Sequence, residues 1–422
     1  MNNFKTVILA AGESSRFWPF NAAHKSLVKI MGKPLIWHTI QGLKKAGVKD
    51  IIIIQGIKKD IEAELKNYDL GVTVNYIIQS EASGMGNALL QAKEHLTKQF
   101  FLVLPERIDC EEIVSKLQEK IKVSDAKTIL VGAKTETPNL FGILKIKSDK
   151  VIDIVEKPKK GEEPSNIKAL GIYLLQPDFF DVYEKITKHQ YDFEKALSEY
   201  IKTHDVGVLL WNKETASLKY PWKVLNIKDY LLNNVEKTIG RNSNISKSAE
   251  IIGDVFIGDN VSIMEKVVIK GPAYIGNDVF IGNNAILRGG VDIEEGAVVG
   301  ANMEVKNALI MKNTTTHSGY IGDSLVGKNC RIAAQFCTAN VRLDRGIIKS
   351  IIKNEEVATG FKYLGVMIGD NCDIGIKCSA MPGIIIGQNV TIGPSTVILH
   401  NIEDNTKYYT KFAEVVSKKN DK

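Results

Sequence analysis

The stretch Val255-Phe256-Ile257-Gly258-Asp259-Asn260-Val261-Ser262-Ile263-Met264-Glu265-Lys266-Val267-Val268-Ile269 places an aliphatic residue at every sixth position and a second one two residues later. The pattern extends in both directions. Ala249, Ala273, Val279, Ala285, Val291, Ala297, Met303 and Leu309 keep the first phase, while Ile251, Ile275, Ile281, Leu287, Ile293, Val299, Val305 and Met311 keep the second. A period of six is neither the alternation of a half-buried strand nor the periodicity of an amphipathic helix, and a short fixed repeat signals a solenoid. One short strand and one tight turn per hexapeptide, three to a coil, predict a triangular β-helix with small aliphatics stacked inside. Glycine follows the second aliphatic in Ile257-Gly258, Ile275-Gly276 and Ile281-Gly282, where it is expected to serve the turn. The phase breaks over 312–320 and resumes at Val366, Cys372, Cys378, Ile384 and Val390.

The other half of the chain has a different texture. Thr6 to Leu9 reads as a strand, Leu35 to Ala46 as a helix, and Asp50 to Ile54 as a strand with four consecutive isoleucines that must be covered on both faces. Further strands fit Val72 to Ile78, Phe100 to Leu104 and Thr128 to Ala133. Together they predict an open α/β domain with a parallel sheet, whose ligands bind beyond the carboxyl ends of the strands. At the first of those ends stands Leu9-Ala10-Ala11-Gly12-Glu13-Ser14-Ser15-Arg16-Phe17-Trp18-Pro19, followed by His24-Lys25. Small residues with free backbone N–H groups suit a polyphosphate, and Arg16 and Lys25 supply charge for a leaving pyrophosphate.

Composition narrows the function. At 422 residues, 44% hydrophobic and 25% charged, the chain is long enough for two or three globular domains. A net charge of +6, spread over scattered lysines with a small cluster at Lys418, Lys419 and Lys422, does not argue for nucleic acid. Five cysteines in unrelated settings form neither a disulfide framework nor a metal spacing, and read as small core residues of a reducing compartment. No apolar run reaches the length of a membrane span, and the first residues run straight into a buried strand, so a cytoplasmic chain is expected.

The glycine-rich loop resembles L-A-A-G-x-G-[ST]-R-x-x-P of the sugar-1-phosphate nucleotidylyltransferases. Gln79 with Gly84-Met85-Gly86-Asn87-Ala88 is similar to that family's nucleobase segment, and Phe141-Gly142, Glu156-Lys157-Pro158 and Gly171-Ile172-Tyr173 to its sugar-site segments. The resemblance implies that Leu9, Ala10, Ala11, Gly12, Gln79 and Gly84 hold the nucleotide, UTP or dTTP. It implies that Gly142, Glu156 and Lys157 hold the sugar-1-phosphate, with Arg16 and Lys25 catalytic and Mg²⁺ as cofactor. Two positions depart from the family pattern. Its Gly-Asp, whose Asp binds the metal, is Pro105-Glu106 here, and its Tyr-Pro-Trp-Asp is Tyr220-Pro221-Trp222-Lys223. Glu106 retains an oxygen donor for magnesium, whereas an ammonium at Lys223 cannot ligate. Three outcomes stay open: Asp109 or Asp229 substitutes, Glu106 acts with the nucleotide phosphates alone, or transfer is impaired.

The repeats resemble hexapeptide-repeat proteins, which implies a left-handed parallel β-helix. At the phase break, Thr314-Thr315-Thr316-His317-Ser318-Gly319-Tyr320-Ile321-Gly322-Asp323-Ser324, with Asn329 and Thr338-Ala339-Asn340, resembles the acetyltransferase segment of bifunctional enzymes. These are of the glucosamine-1-phosphate acetyltransferase/N-acetylglucosamine-1-phosphate uridylyltransferase type, particularly the archaeal branch. That implies acetyl-CoA as co-substrate, His317 as general base, Tyr320 and Asn340 as holders of the amino sugar phosphate, and a homotrimer. Here the family's Gly-Ala-Gly-Thr is Ala333-Ala334-Gln335-Phe336, and Phe336 is expected to intrude on the pocket. The polar insertion Asp344 to Lys362 follows. A Rossmann-like nucleotidylyltransferase domain over 1–232 and a β-helix over 233–422 are expected. Two alternatives to a bifunctional enzyme remain: a nucleotidylyltransferase with a purely structural β-helix, and a weakened sugar-nucleotide-binding regulatory protein.

Overall fold

The structure is a computed structural model and describes residues 4–189, 191–213, 215, 218–414 and 416–417. The lysine cluster at Lys418, Lys419 and Lys422 lies outside them. The chain forms two compact units. The first takes the chain up to Ser15, Asn21–Lys29 and Lys33–Leu218; the second takes Arg16–Phe20, Ile30–Gly32 and everything from Lys219 onward.

The first unit is a nine-stranded twisted sheet between helices. Its strands are β1 (Lys5–Ala10), β2 (Asp50–Gly56), β3 (Thr73–Gln79), β4 (Phe100–Val103), β5 (Thr128–Lys134), β6 (Gly142–Lys147), β7 (Lys150–Glu156), β8 (Ile167–Leu175) and β9 (Val206–Trp211). They lie in the order β3-β2-β1-β4-β8-β5-β9-β7-β6. The half β3-β2-β1-β4 is parallel, as the apolar runs predict. Beyond it the sheet is mixed, because β8 runs antiparallel to both β4 and β5. The helices that matter below are α1 (Leu35–Lys45), α2 (Asp60–Leu65), α3 (Met85–Leu90), α4 (Cys110–Val123), α5 (Phe179–Lys185) and α6 (Asp192–Ile201). Both sheet faces are covered: Ile51 and Ile53 enter one apolar core with Ile36, Ile40, Ile113 and Leu117, while Ile52 and Ile54 enter another with Leu89, Phe179 and Leu197. Four consecutive isoleucines therefore stay dry, at a gain of roughly 1.5–3 kcal/mol for each fully buried side chain.

In the second unit the hexapeptides form three parallel sheets of eight, nine and eight short strands, the faces of a left-handed β-helix. Ser262 pairs with Phe280 and Phe280 with Val298, so a coil is eighteen residues. Both aliphatic phases point inward: Val255, Ile257, Val261, Ile263, Val267 and Ile269 share one continuous core with Val390 and Ile392. The glycines after the second aliphatic serve close approach rather than the turn. A Cβ on Gly258 would stand 2.8 Å from the backbone nitrogen of Asn277 in the next coil. The left-handed turn conformation belongs instead to residues such as Asn260, Asp278 and Asn284, at φ of 58°, 58° and 60°.

The regular phase ends one repeat earlier than its spacing suggests. Val298 pairs with Thr315 and Thr315 with Arg331, seventeen and then sixteen residues on, so Ala308 and Ile310, rather than Leu309 and Met311, enter the central core. Thr314 and Thr316 lie buried at the break. The Thr314 hydroxyl donates to the Gly327 carbonyl at 2.5 Å and accepts the Cys330 N–H at 3.0 Å. The insertion carries an antiparallel hairpin, Lys349–Ile352 with Glu355–Ala358.

Phe336 does not intrude on a pocket. It stands six residues after the interior Cys330, pairs with Gly319, and is wholly buried in the β-helix core. Gln335, at φ of 64°, takes the exposed corner. Phe336→Ala is therefore expected to destabilise the β-helix by about 3–5 kcal/mol through lost contacts and a cavity. The unfolding midpoint in denaturant checks this; unchanged stability would return Phe336 to the surface.

Candidate active site

The loop after β1 is held from within the first unit. Ser14 Oγ accepts the backbone N–H of Lys25 at 3.0 Å, and His24 N–H donates to Asp60 Oδ2 at 2.8 Å at the start of α2. Ala10, Ala11 and Gly12 line an open cavity of about 400 Å³ with His24, Gly56, Lys58, Asp60 and Gln79. Gln79 donates to the Gly84 carbonyl at 3.2 Å and to Asn87 Oδ1 at 2.9 Å, which ties the end of β3 to α3. Of the six residues expected on the nucleotide, four line this cavity. Gly84 supports Gln79 from outside it, and Leu9 is buried in the sheet core. Arg16 is exposed in the short 3₁₀ turn Ser15–Phe17, and is counted with the second unit while Ser15 is counted with the first.

His24 lies beside this cavity as a neutral group. Its ring Nδ1 accepts the Ser26 N–H at 3.3 Å, and burial, then the Lys25 charge, lower its pKa to about 3. An unfolded chain protonates this ring near pH 6.5, so the penalty is absent above that value and grows by about 1.4 kcal/mol per unit as pH falls toward 3. Between pH 7 and pH 5 the wild type should lose about 2 kcal/mol more in urea unfolding than His24→Asn. Equal losses would remove His24 from the acid lability.

A second cleft, of about 190 Å³, opens beside β6, β7 and β8, lined by Glu106, Arg107, Phe141, Gly142, Glu156, Lys168, Tyr173 and Glu194 among others. Gly142 faces Glu156 across the β6–β7 pairing, and a Cβ there would stand 3.0 Å from Glu156 Oε2. Lys157 is not on the lining. Its Nζ lies 3.3 Å from Glu156 Oε1 and 2.8 Å from the Tyr191 hydroxyl.

Glu106 joins this cleft to the loop. Lys25 Nζ donates to Glu106 Oε1 at 2.6 Å and to the Leu218 carbonyl at 3.1 Å. Glu106 is 5% exposed, and its Oε2 is buried without a hydrogen-bond partner among the described residues. The chemistry of one hard, unpartnered carboxylate oxygen fits magnesium. Of the other two candidates, Asp109 pairs with the buried Arg107 through Oδ2 while its Oδ1 is likewise buried and unpartnered among the described residues, and Asp229 is held by Lys228 at 2.5 Å. Lys223 Nζ sits 4.9 Å from the Phe361 ring centroid, and burial lowers its pKa.

In the β-helix, Asn340 Nδ2 donates to the Tyr320 hydroxyl at 3.0 Å and to Asp323 Oδ2 at 2.5 Å. Asp323 is buried and also accepts from Lys306 at 3.0 Å and Asn307 at 2.8 Å, so the Tyr320–Asn340 pair is fixed from behind. His317 occupies the corner between the strands Thr315–Thr316 and Gly319–Gly322. Its backbone N–H donates to the Ile332 carbonyl at 2.9 Å, and its exposed ring reaches neither Tyr320 nor Asn340 by a hydrogen bond within the chain. Sequence reasoning missed Arg107, Lys168 and Glu194, which line the second cleft from segments without a motif, and gave no role to Asp323, which lies within the acetyltransferase-like segment.

Three family comparisons divide the chain as the fold does. The nucleotidyl transferase family matches residues 5–222. The bacterial transferase hexapeptide (six repeats) matches 272–307, and the hexapeptide repeat of succinyl-transferase matches 365–399. The bifunctional protein GlmU of Methanococcus maripaludis strain C7 is 38% identical over 420 residues, covering 98% of this chain and 99% of the relative. GlmU of Methanocaldococcus jannaschii is 31% identical, over 96% and 97%. A bifunctional sugar-1-phosphate nucleotidylyltransferase/acetyltransferase of Sulfurisphaera tokodaii is 28% identical, over 94% and 98%. With one family on the sheet domain, hexapeptide repeats on the solenoid and relatives aligned end to end, the chain belongs to the nucleotidyl transferase family, among its bifunctional nucleotidylyltransferase/acetyltransferases.

Proposed function

We propose that the first unit joins UTP or dTTP to a sugar-1-phosphate and that the second acetylates a hexosamine-1-phosphate from acetyl-CoA, each with the residues named above. The observation that carries the first assignment is Glu106, which lines the sugar cleft while its carboxylate holds Lys25 of the phosphate loop. A sugar-1-phosphate oxygen attacks the α-phosphorus in line, the bond to the β-phosphate oxygen breaks, and pyrophosphate leaves. Backbone amides of Ala10, Ala11 and Gly12 receive the phosphates, and Lys25 and Arg16 offset charge growing on the α-phosphoryl and leaving groups. Gln79 reads the base, and Gly142, Glu156 and Lys157 seat the sugar phosphate. Mg²⁺, held by Glu106 Oε2 and the nucleotide, would neutralise phosphate charge.

In the second unit His317 takes the proton from the amine as its nitrogen attacks the thioester carbonyl and the thiol departs. Tyr320 and Asn340 orient the sugar, and their direct hydrogen bond, with Asp323 holding Asn340, supports that role. A homotrimer is part of this reading, supported by outward-facing apolar side chains along the coils: Ile239, Ile252, Phe280, Ile286, Val397 and Leu399. So is a cytoplasmic setting, which matches four of five free thiols buried in cores; among the described residues no helix is long and apolar enough to cross a membrane. One pair of assays tests the whole: pyrophosphate release with each nucleoside triphosphate, and thiol release from acetyl-CoA with glucosamine- and galactosamine-1-phosphate. Absence of either release removes the matching half.

A further inference from the structure

One corner of the solenoid carries a chain of hydrogen bonds that begins at a residue outside every motif. Gly290, Asn307 and Asp323 stack there in successive coils: the Asn307 N–H donates to the Gly289 carbonyl at 3.1 Å, and the Asp323 N–H to the Lys306 carbonyl at 2.8 Å. Helix α7 (Lys223–Leu232) brings Lys228 to this corner. The Lys228 side chain is wholly buried, and its ammonium donates to Asp229 Oδ1 at 2.5 Å, to the Gly290 carbonyl at 2.5 Å and to Asn307 Oδ1 at 2.9 Å. A Cβ on Gly290 would stand 3.1 Å from Asn307 Oδ1, so glycine leaves room for this junction. Asn307 Nδ2 in turn donates to Asp323 Oδ1 at 2.8 Å. Asp323 Oδ2 accepts from Asn340 Nδ2, which also donates to the Tyr320 hydroxyl.

An ammonium only donates and a carboxylate only accepts, so with Lys228 and Asp323 in place each amide on this chain has one orientation. Asn307 turns its oxygen to Lys228 and its nitrogen to Asp323. Asn340 turns its nitrogen to Asp323 and Tyr320, which engages both Nδ2 hydrogens and leaves Oδ1 as its acceptor. The Tyr320 oxygen accepts from Asn340 and keeps its own proton to donate. Burial, then the charges of Asp323 and Glu304, push its pKa up, with Arg288 and Asn340 opposing. We propose that Asn307 and Asp323, anchored on Lys228, are positioning residues of the acetyl-transfer site: they hold Asn340 with its oxygen toward an N–H of the substrate amine and Tyr320 as a donor to a sugar oxygen. This rests on the reading of Tyr320 and Asn340 as holders of the amino sugar phosphate.

The test follows thiol release from acetyl-CoA by the full chain as glucosamine-1-phosphate is varied. Asn307→Asp sets two carboxylates face to face, and Asp323→Asn removes the group that only accepts, so Asn340 is free to turn its amide over. Each should raise the KM for glucosamine-1-phosphate by about tenfold or more, while the KM for acetyl-CoA and pyrophosphate release in the first unit stay as in wild type. The double variant Asn307→Asp with Asp323→Asn exchanges the two groups. Lys228 then faces the carboxylate, and the neighbouring amide donates to that carboxylate and accepts from Asn340. Both positions have left-handed backbone, at φ of 44° and 49°, which Asn and Asp both tolerate, so the exchange leaves the corner intact. Its KM should return to within about threefold of wild type, whereas a role in packing alone makes the two losses add. Unchanged KM in the single variants, or a double variant no better than they are, overturns the inference. Asn340→Ala reports on the reading beneath it. Where Asn340→Ala alone raises the KM, only the positioning chain falls; where it too leaves the KM unchanged, Asn340 does not hold the sugar and both fall.

Discussion

Lys25→Ala is expected to lower the turnover of sugar-nucleotide formation by on the order of 10²-fold or more, because it removes a preorganised cation from the place where phosphoryl charge develops. It has a second effect. Glu106 is buried and its Oε1 is held by Lys25, so the variant leaves a carboxylate without its partner, and breaking a buried pair costs about 3–5 kcal/mol. Activity and stability would fall together and could be confused. The double variant Lys25→Met with Glu106→Gln, read against Glu106→Gln alone, separates them: stability should recover toward wild type while turnover stays well below that of Glu106→Gln. Urea unfolding and pyrophosphate release measure the two quantities. Near-normal turnover in Lys25→Ala would refute the placement of the site, and recovery of turnover in the double variant would make Lys25 a structural residue only.

His317→Ala should abolish thiol release from acetyl-CoA, a loss of about 10²–10⁴-fold for a removed general base, while pyrophosphate release continues. The independence follows from the cores. Val255 to Ile402 pack among themselves along the solenoid, whereas the sheet packs its two faces against α1 and α4 on one side and α3, α5 and α6 on the other. His317 is exposed and its backbone N–H already has a partner, so truncation leaves no buried polar group unsatisfied. Acetyl transfer at the wild-type rate in His317→Ala would end the general-base assignment. A parallel loss of pyrophosphate release would contradict the separation of the two activities.

The period of six determined the β-helix by itself, because every hexapeptide meets the same surroundings and repeats the same requirement for small inward aliphatics. The same holds for the strand Asp50–Gly56, where an unbroken isoleucine run excludes a solvated face. The inward place of Phe336 follows from the same phase, six residues after the interior Cys330. The shortened coils at Thr315 and Arg331 were less legible, since a lost residue shows only once the pairing register is known. The antiparallel β8 was not legible, because strand direction depends on connections rather than on composition.

What only the tertiary structure decided is which charges meet. Glu106 reaches Lys25 across eighty-one residues of sequence, and Asn340 reaches Asp323 from the neighbouring coil. Lys223 turns to Phe361, and Glu194 enters the sugar cleft from a helix with no motif. Side-chain chemistry is written locally, but burial and proximity, which set its strength, arise only when distant segments pack together.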